Sequence, residues 1–538
     1  MCVSPRLVGR IVGEATPTEF LFVSSKNDHP PRYEYVMVYS DELIDGQVKR
    51  VEVLAQVTHI VSRSSAYSEN VDFTTLERIY SAGIDDVNVI CVARTLGFLY
   101  RSGGSSEIRM PRRAIYPGNE VYLASDELVQ EFFSYPEEEG IHIGYLLSRP
   151  HIPVYVSLNG FRRHVAILAQ TGAGKSYTVG VLVEEILRKG GTVIIVDPHA
   201  DYVFLGRLKD GTPHPLKERI FVFRNPNSTG RYSEDSLDNV KPYTVSFSDL
   251  SSDEIADILE IPERWTNIRD VISKVVSELR KKSSDYSVED FIGKVEEMAR
   301  GSSSDAQHAK RALKYVYKLR KIRVFGDVTT SIEDMLQPMQ VSVLDLSGLN
   351  DASMDYIVYR VLSEVYLKVS TGEYRYPVFV VIEEAHKFVP PKSERRTRSR
   401  SIINTIAAEG RKFGIFLIVV SQRPSKIDQD TLSQCNSQII LRVTNPVDQR
   451  AILNSSERIS ESLLSDLPGL NVGEAVIVGQ LTKVPVLVKI RERKTMEGGA
   501  DIDVVGALKR AREELEETWR IMELRASSRI EDSMISEV

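Results

Sequence analysis

The chain changes its hydrophobic rhythm once. Up to about residue 140, segments such as "RLVGRIVGEATPTEFLFVS", "YEYVMVYS", "VKRVEVLAQVTHIVSRS", "NVICVARTLGFLY" and "PGNEVYLAS" alternate apolar with polar positions. They are rich in Val, Ile, Tyr and Thr and are punctuated by Gly and Pro. A period of two with frequent turn residues predicts an antiparallel β-barrel or sandwich over residues 1–140. The acidic "YPEEEGIHIG" at 135–144 reads as a flexible linker. Beyond it, "VAIL", "GTVIIVD", "RIFVF", "VSVLDL", "PVFVVIEE", "IFLIVVSQ", "SQIILRV" and "EAVIVG" alternate with longer helical segments. Several of these runs are apolar throughout, as strands buried on both faces of a parallel sheet are. The pattern predicts an α/β core over 145–500. Residues 250–323 carry helical periodicity without strand candidates and read as a helical insertion. Residues 501–538 read as a C-terminal amphipathic helix, with Leu508, Leu515 and Trp519 opposite a charged face. It is a candidate brace between subunits. No internal repeat is evident.

Composition narrows the class. At 538 residues the chain is long enough for two or three domains, and 42% apolar with 27% charged residues describes a globular protein. It lacks a run of about 18 apolar residues, so no spanning helix is expected, and "MCVSPRLVGRIVGE" has no signal-peptide pattern. Cys2, Cys91 and Cys435 lie far apart without metal-type spacing, which points to a reducing, cytoplasmic setting and against structural zinc. The balance of 68 basic and 75 acidic residues, a net charge of −7, does not advertise a nucleic-acid binder. Contact with a polyanion would have to come from a local basic patch.

The chemistry concentrates in "VAILAQTGAGKSYTVGVLVEEILRKG", residues 165–190. An apolar strand runs into a Gly-rich turn and then into a helix, as in the phosphate loop G-x-x-x-x-G-K-[ST], with Ala169 in the first Gly position. Thr171, Gly172, Ala173, Gly174, Lys175, Ser176 and Tyr177 form the expected nucleotide cradle. Backbone N–H groups face phosphate oxygens, Lys175 reaches the terminal phosphates, Ser176 ligates Mg²⁺, and the helix N-terminus adds its positive end. A methyl group at Ala169 is a packing matter at a strand end and is expected to be tolerated.

Three apolar strands end in acids: Asp197, Asp345, and the pair Glu383-Glu384. Only the pair supplies one carboxylate for Mg²⁺ (Glu383) and another to orient and deprotonate the attacking water (Glu384). Asp197 reads as a turn or part of a functional loop, and Asp345 as a structural turn. Gln422, at the tip of "IFLIVVSQRPS", suits a γ-phosphate sensor. Arg411 in "AAEGRKFG" reads as a Gly-flanked surface-turn arginine able to reach a neighbouring subunit's nucleotide, with Arg442 as the second candidate for that role. Directly after the acidic pair comes "PPKSERRTRSRS", residues 390–401. There Lys392, Arg395, Arg396, Arg398 and Arg400 face only Glu394, an excess of four positive charges suited to DNA phosphates. The loop has no interleaved aromatic residues, which favours a duplex backbone over stacked single strands.

With "TGAGKS", "VDPHADY", "VVIEEAHKFVP", "EGRKFGIFLIVVSQRPS", "SQIILRVTNPVDQRAIL" and "LPGLNVGEAVIVG" in this order, the chain resembles the HerA family of the HerA/FtsK superfamily across the whole ATPase core. The N-terminal "GRIVGEATPTEFLFVS" resembles the small β-barrel of that family. The resemblance implies a RecA-like P-loop core, ATP and Mg²⁺ as substrate and cofactor, and a homohexameric ring with ATP at subunit interfaces. It further implies duplex DNA in the channel and the nuclease NurA as partner in preparing DNA ends for repair. Ala169 departs from the glycine common in the family. A P-loop motor that moves protein, and a nucleotide-gated scaffold for a nuclease, remain as other readings. The arginine-rich loop argues against the first, and intact Lys175, Glu383 and Glu384 against the second.

Overall fold

Alternation closes the first part of the chain on itself. The computed structural model describes residues 5–102, 105–456, 459–499 and 504–535, with side chains of the last helix described through Met522. Strands β1 (Leu7–Ala15), β2 (Glu19–Ser24), β3 (Tyr35–Ile44) and β4 (Gln47–Arg63) are followed by helix α1 (Phe73–Ser81). Then come β5 (Asn88–Ser102), β6 (Ser105–Arg109), β7 (Glu120–Leu123) and α2 (Asp126–Phe133). The order β2-β1-β7-β3-β4-β5 is antiparallel and returns to its start, because β2 also pairs with β5 from Glu19↔Arg94 to Ser24↔Val89. Six strands therefore make a closed barrel, and β6 extends from the far half of β5. Phe20, Phe22, Val36, Val38, Val53, Ala55, Val57, Cys91 and Ala93 fill it as the alternating positions require. The two short helices escape the strand pattern but carry ordinary start signals. Asp72 and Ser125 each cap the backbone three residues on.

The stretch 135–144 is not a linker through its length. Its second half opens β8 (Gly140–Leu146), which with β9 (Pro153–Ser157) lies at one edge of the twelve-stranded sheet. The sheet continues through β10 (Val165–Leu168), with α3 (Lys175–Arg188), then β11 (Thr192–Asp197), β12 (Ile220–Arg224) and β13 (Val240–Pro242). A two-stranded parallel pair, β14 (Val245–Ser246) and β15 (Phe325–Gly326), brackets the insertion. The insertion is the helices α4 (Ser252–Ile258), α5 (Thr266–Lys282), α6 (Val288–Ala299) and α7 (Ser304–Val316). After it come β16 (Val341–Asp345), α8 (Asp351–Ser370), β17 (Val378–Ile382), α9 (Ser399–Phe413) and β18 (Ile415–Ser421). The chain then runs through α10 (Gln429–Gln434), β19 (Ser437–Ile440), α11 (Pro446–Ser455), α12 (Glu461–Asp466), β20 (Glu474–Val478) and β21 (Val486–Ile490). Helix α13 (Val504–Ile535) ends it, with Leu508, Leu515 and Trp519 exposed.

The order is β13-β12-β16-β11-β17-β18-β10-β19-β20-β21-β8-β9. From β13 to β19 neighbouring strands are parallel. From β19 onward every pairing is antiparallel. "EAVIVG" is therefore an antiparallel strand, although its apolar composition reads like the others. Strand β21 sits between β20 and β8, so a segment near residue 490 completes a sheet edge begun near residue 146.

The barrel is packed onto this edge. Tyr35, Met37, Leu54 and the α2 residues Val129, Phe132 and Phe133 share one apolar cluster with Ile141, Ile143, Val154 and Val156. Arg149, 6% exposed in its side chain, donates to Glu34 at 2.9 Å and Asp126 at 2.7 Å across the same boundary. Cys91 and Cys435 are buried free thiols, and Cys2 lies outside the described residues. No described helix is long and apolar enough to cross a membrane.

Candidate active site

The parallel order sets three acid-ended strands side by side. Across β16-β11-β17-β18-β10, the C-terminal edge presents Asp345, Asp197, Glu383-Glu384, Ser421-Gln422 and the phosphate loop in that sequence. In parallel α/β sheets this edge is where ligands bind.

The loop between β10 and α3 has the backbone of an anion cradle. Gly172 and Gly174 take φ of 74° and 99°, which a Cβ would oppose. Among the described residues the N–H groups of Gly172, Gly174, Lys175 and Ser176 have no backbone acceptor, while Gln170 donates to the Arg442 carbonyl at 2.9 Å. Ala169 is fully buried beneath the loop, its N–H on the Ser421 carbonyl at 3.3 Å, so the extra methyl occupies core. Farther along α3, Gly180 meets the guanidinium of Arg493, which is 1% exposed. Any larger residue there would displace a side chain with nowhere to go. Arg493 in turn holds the last turns of the core to α3 through Tyr177 and the Ser176 carbonyl.

Lys175, 6% exposed, contacts the fully buried Glu383 carboxylate and lies 3.4 Å from Glu384. Burial pulls its ammonium below the ordinary lysine range, opposed by the charges of Glu384 and Asp201. The second Glu383 oxygen accepts the Tyr202 hydroxyl at 3.2 Å. Both Glu383 oxygens are thus engaged inside the protein. The carboxylate beside the Ser176 hydroxyl is Asp201, at 2.9 Å. Asp201 belongs to the tight turn that Asp197 builds by accepting the N–H groups of His199, Asp201 and Tyr202. Burial, together with the nearby charges of Asp201 and Asp345, pushes Asp197 up to about 8. Asp345 holds Ser347 and faces Arg224 at 3.5 Å, a turn and ion pair away from the loop.

Glu384 is the residue that β17 delivers to the cavity. It follows the strand in a left-handed conformation, φ 49° and ψ 47°, a geometry that costs about 1–2 kcal/mol for a residue with a Cβ. Gln422 donates to it at 2.8 Å and accepts from the Thr171 hydroxyl at 2.6 Å. His386 lies 3.1 Å from its other oxygen. Burial alone would raise this carboxyl; the His386 hydrogen bond and the Lys175 charge outweigh it and hold Glu384 at about 2. A carboxylate kept ionised, 3.4 Å from the phosphate-loop lysine and tied by one amide to that loop, is arranged to accept a hydrogen bond from a nucleophile and orient it. These groups line a cavity of about 720 Å³ that also takes in Tyr177, His199 and Lys489. The cradle, the Ser176–Asp201 pair and the cavity size fit a nucleotide triphosphate with Mg²⁺, an ion that binds through few carboxylates plus phosphates and water. No cluster of three or more metal-ligating side chains exists among the described residues.

The remaining sequence candidates separate. Arg411 is not on a surface turn but in the last turn of α9, exposed. Strand β18 then runs from there to Gln422, so Arg411 lies about 20 Å from its own phosphate loop. Arg442 is the opposite case: it abuts its own loop through its carbonyl, and its buried Nε has no partner among the described residues. In the basic loop, Arg398 and Arg400 are not available charges. Arg398 donates to the Ile258 carbonyl and faces Asp355 at 3.5 Å; Arg400, largely buried, pairs with Asp428 at 2.6 Å. Arg395 bridges Asp351 at 2.8 Å but stays exposed, as do Lys392 and Arg396. The acids that offset this run come from α8, from Asp428 capping α10 and from the insertion, which a local count of charges misses. The sequence also misses Asp201 and His386. Both stand inside segments quoted for other residues, "DPHADY" and "IEEAH".

Comparison with known proteins identifies the family. The family model "Helicase HerA, central domain" matches residues 141–365. A protein of Pyrococcus furiosus named DNA double-strand break repair helicase HerA is 31% identical, covering 92% of this chain and 93% of its own. The chain belongs to the HerA family. A HerA of Sulfurisphaera tokodaii is 29% identical over 95% of this chain and 98% of its own. Among solved structures, the plasmid coupling protein TrwB with a GTP analogue aligns with TM-score 0.48 and 15% identity, over 74% of this chain and 98% of its own.

Proposed function

We propose that this protein hydrolyses ATP with Mg²⁺ to drive movement along duplex DNA, as a helicase or translocase in double-strand break repair. The observation that carries the reading is the Thr171–Gln422–Glu384 chain of hydrogen bonds, which ties the phosphate loop to an ionised buried carboxylate. Lys175 and the free loop N–H groups bind the phosphates, Ser176 and Asp201 hold the metal, and Glu384 orients the attacking water. The bound metal neutralises charge on the phosphates. Gln422 reports the terminal phosphate to Glu384 and thereby to the basic loop that follows β17.

The family's relatives named as DNA repair helicases support a DNA substrate, and Lys392, Arg395 and Arg396 supply the exposed cations for its backbone. A homohexameric ring accounts for Arg411, which would complete a neighbour's site, and for the exposed apolar face of α13, which would brace the adjoining subunit. The nuclease NurA is the partner this family membership favours, in preparing ends for recombination. The deciding experiment is ATP turnover with and without linear duplex DNA, with Lys175→Ala as the blank. Stimulation that weakens steeply with salt supports backbone tracking. Turnover indifferent to DNA overturns it, and stimulation by unfolded protein instead selects a protein-moving motor. Light scattering of the full chain tests the ring, and co-elution with NurA tests the partnership.

A further inference from the structure

The helical insertion carries a basic, aromatic cavity that the ATPase reading does not use. Residues 308–323, "HAKRALKYVYKLRKIR", hold seven Lys and Arg and no acid, in a chain whose net charge is −7. Where its first half, within α7, packs on the start of α5, it leaves a cavity of about 380 Å³. Arg264, Trp265, His308, Arg311, Lys314 and Tyr315 line it, and no carboxylate does. The neighbouring cations are already committed: Lys274 to Asp305, Lys318 to Glu260 and Arg320 to Glu289. Arg264, Arg311 and Lys314 have no carboxylate partner among the described residues. Trp265, 37% exposed, meets Tyr315 edge to face with ring centres 5.8 Å apart. Lys314 sits over the Tyr315 ring at 4.9 Å. Helix α5 begins at Thr266 without a side-chain cap, so its first-turn N–H groups add to the positive field.

We propose that this cavity is a second nucleic-acid site, one that takes an unstacked nucleotide of a single strand. Cations without acid partners select phosphate. An exposed indole beside them selects a flat aromatic group, and the volume suits one nucleoside rather than a helix. A duplex keeps its bases inside the stack and cannot offer one to Trp265. The basic loop after β17 differs, being aromatic-free and matched to phosphates alone. The insertion would hold a frayed or resected strand while the core grips the duplex. This binding does not depend on ATP hydrolysis, so it is measured on the Lys175→Ala full-length chain and stands or falls apart from the motor reading.

The test is fluorescence polarisation of labelled (dT)16 across a salt series. Binding is expected to weaken at least fivefold in Arg311→Ala/Lys314→Ala, with the log–log salt slope shallower by about 1.4 for two lost strand contacts. Trp265→Ala should weaken it about 5- to 150-fold, the range for one stacked base, and Trp265→Phe should restore most of that. The chain has two tryptophans, Trp265 and Trp519. In a Trp519→Phe background, (dT)16 should quench the Trp265 emission and a 16-base-pair duplex should not. Unchanged affinity and slope in the double variant, or equal quenching by duplex, overturns the proposal. Thermal melts of each variant separate lost binding from lost folding.

Discussion

Replacing Gln422 with Ala cuts the link between phosphate loop and carboxylate while leaving both ends in place. Two bonds go: the donation to Glu384 at 2.8 Å and the acceptance from Thr171 at 2.6 Å. A bond to a charged group contributes about 1.5–3 kcal/mol and a neutral one about 0.5–1.5 kcal/mol. Glu384 keeps His386 and Lys175, so the loss is less than the sum, about 2–3 kcal/mol. If that loss falls on the transition state, kcat drops roughly 30- to 150-fold at 1.36 kcal/mol per decade. Nucleotide affinity should stay within about threefold, because the loop N–H groups and Lys175 are untouched. Steady-state turnover gives the first quantity and isothermal titration with a non-hydrolysable analogue the second. Turnover within threefold of the parent would refute the bridge as a catalytic link. A loss of affinity equal to the loss of turnover would refute it too, making Gln422 a ground-state binding group.

Three further outcomes follow from the same geometry. Arg400→Ala leaves Asp428 buried without its partner and should lower unfolding stability by about 3–5 kcal/mol, whereas Arg396→Ala at an exposed site should stay within about 0.5 kcal/mol; urea titrations showing equal effects would contradict the separation of the two arginines. Asp201→Ala should raise the half-saturating Mg²⁺ for turnover about 10- to 100-fold with the fold intact by circular dichroism, and an unchanged Mg²⁺ curve would remove Asp201 from the metal site. Glu384, held at about 2 against an ordinary 4.5, has its folded-state value depressed. Its contribution, at most about 3 kcal/mol, is therefore present above pH 4.5 and lost as pH falls from 4.5 towards 2. His386→Ala should flatten that acid loss in urea midpoints, and parallel curves for both proteins would exclude the pairing.

The sequence shows most clearly those features whose causes are local. The phosphate loop, the strand ends at Asp197, Glu383 and Asp345, and the barrel's alternation all follow from neighbours in the chain. Strand β8 is hidden because acidic "YPEEE" precedes it and His142 breaks its apolar run, though burial against β21 decides its conformation. The direction of β20 is equally invisible, since an apolar strand reads alike in either sense. Within the site, adjacency in "IEE" makes two acids look equivalent. Packing makes them different, closing Glu383 between Lys175 and Tyr202 and turning Glu384 toward the cavity by its own left-handed backbone. The charges of residues 390–401 mislead for the same reason. Asp355 and Asp428, distant along the chain, neutralise Arg398 and Arg400.

The place of β21 has a consequence for synthesis. Strand β8 leaves the ribosome with Ile141, Ile143 and Leu146 facing what will be core, but its partner spans Val486–Ile490, about 340 residues later. At about 5–20 residues per second, the nascent chain carries that unpaired edge for roughly 20–70 s. The barrel, whose strands all lie before residue 124, can close meanwhile and shelter the β8–β9 hairpin through α2. Translation arrested before codon 486 should therefore release a chain with a finished barrel and an adhesive half-sheet, the form most in need of a chaperone.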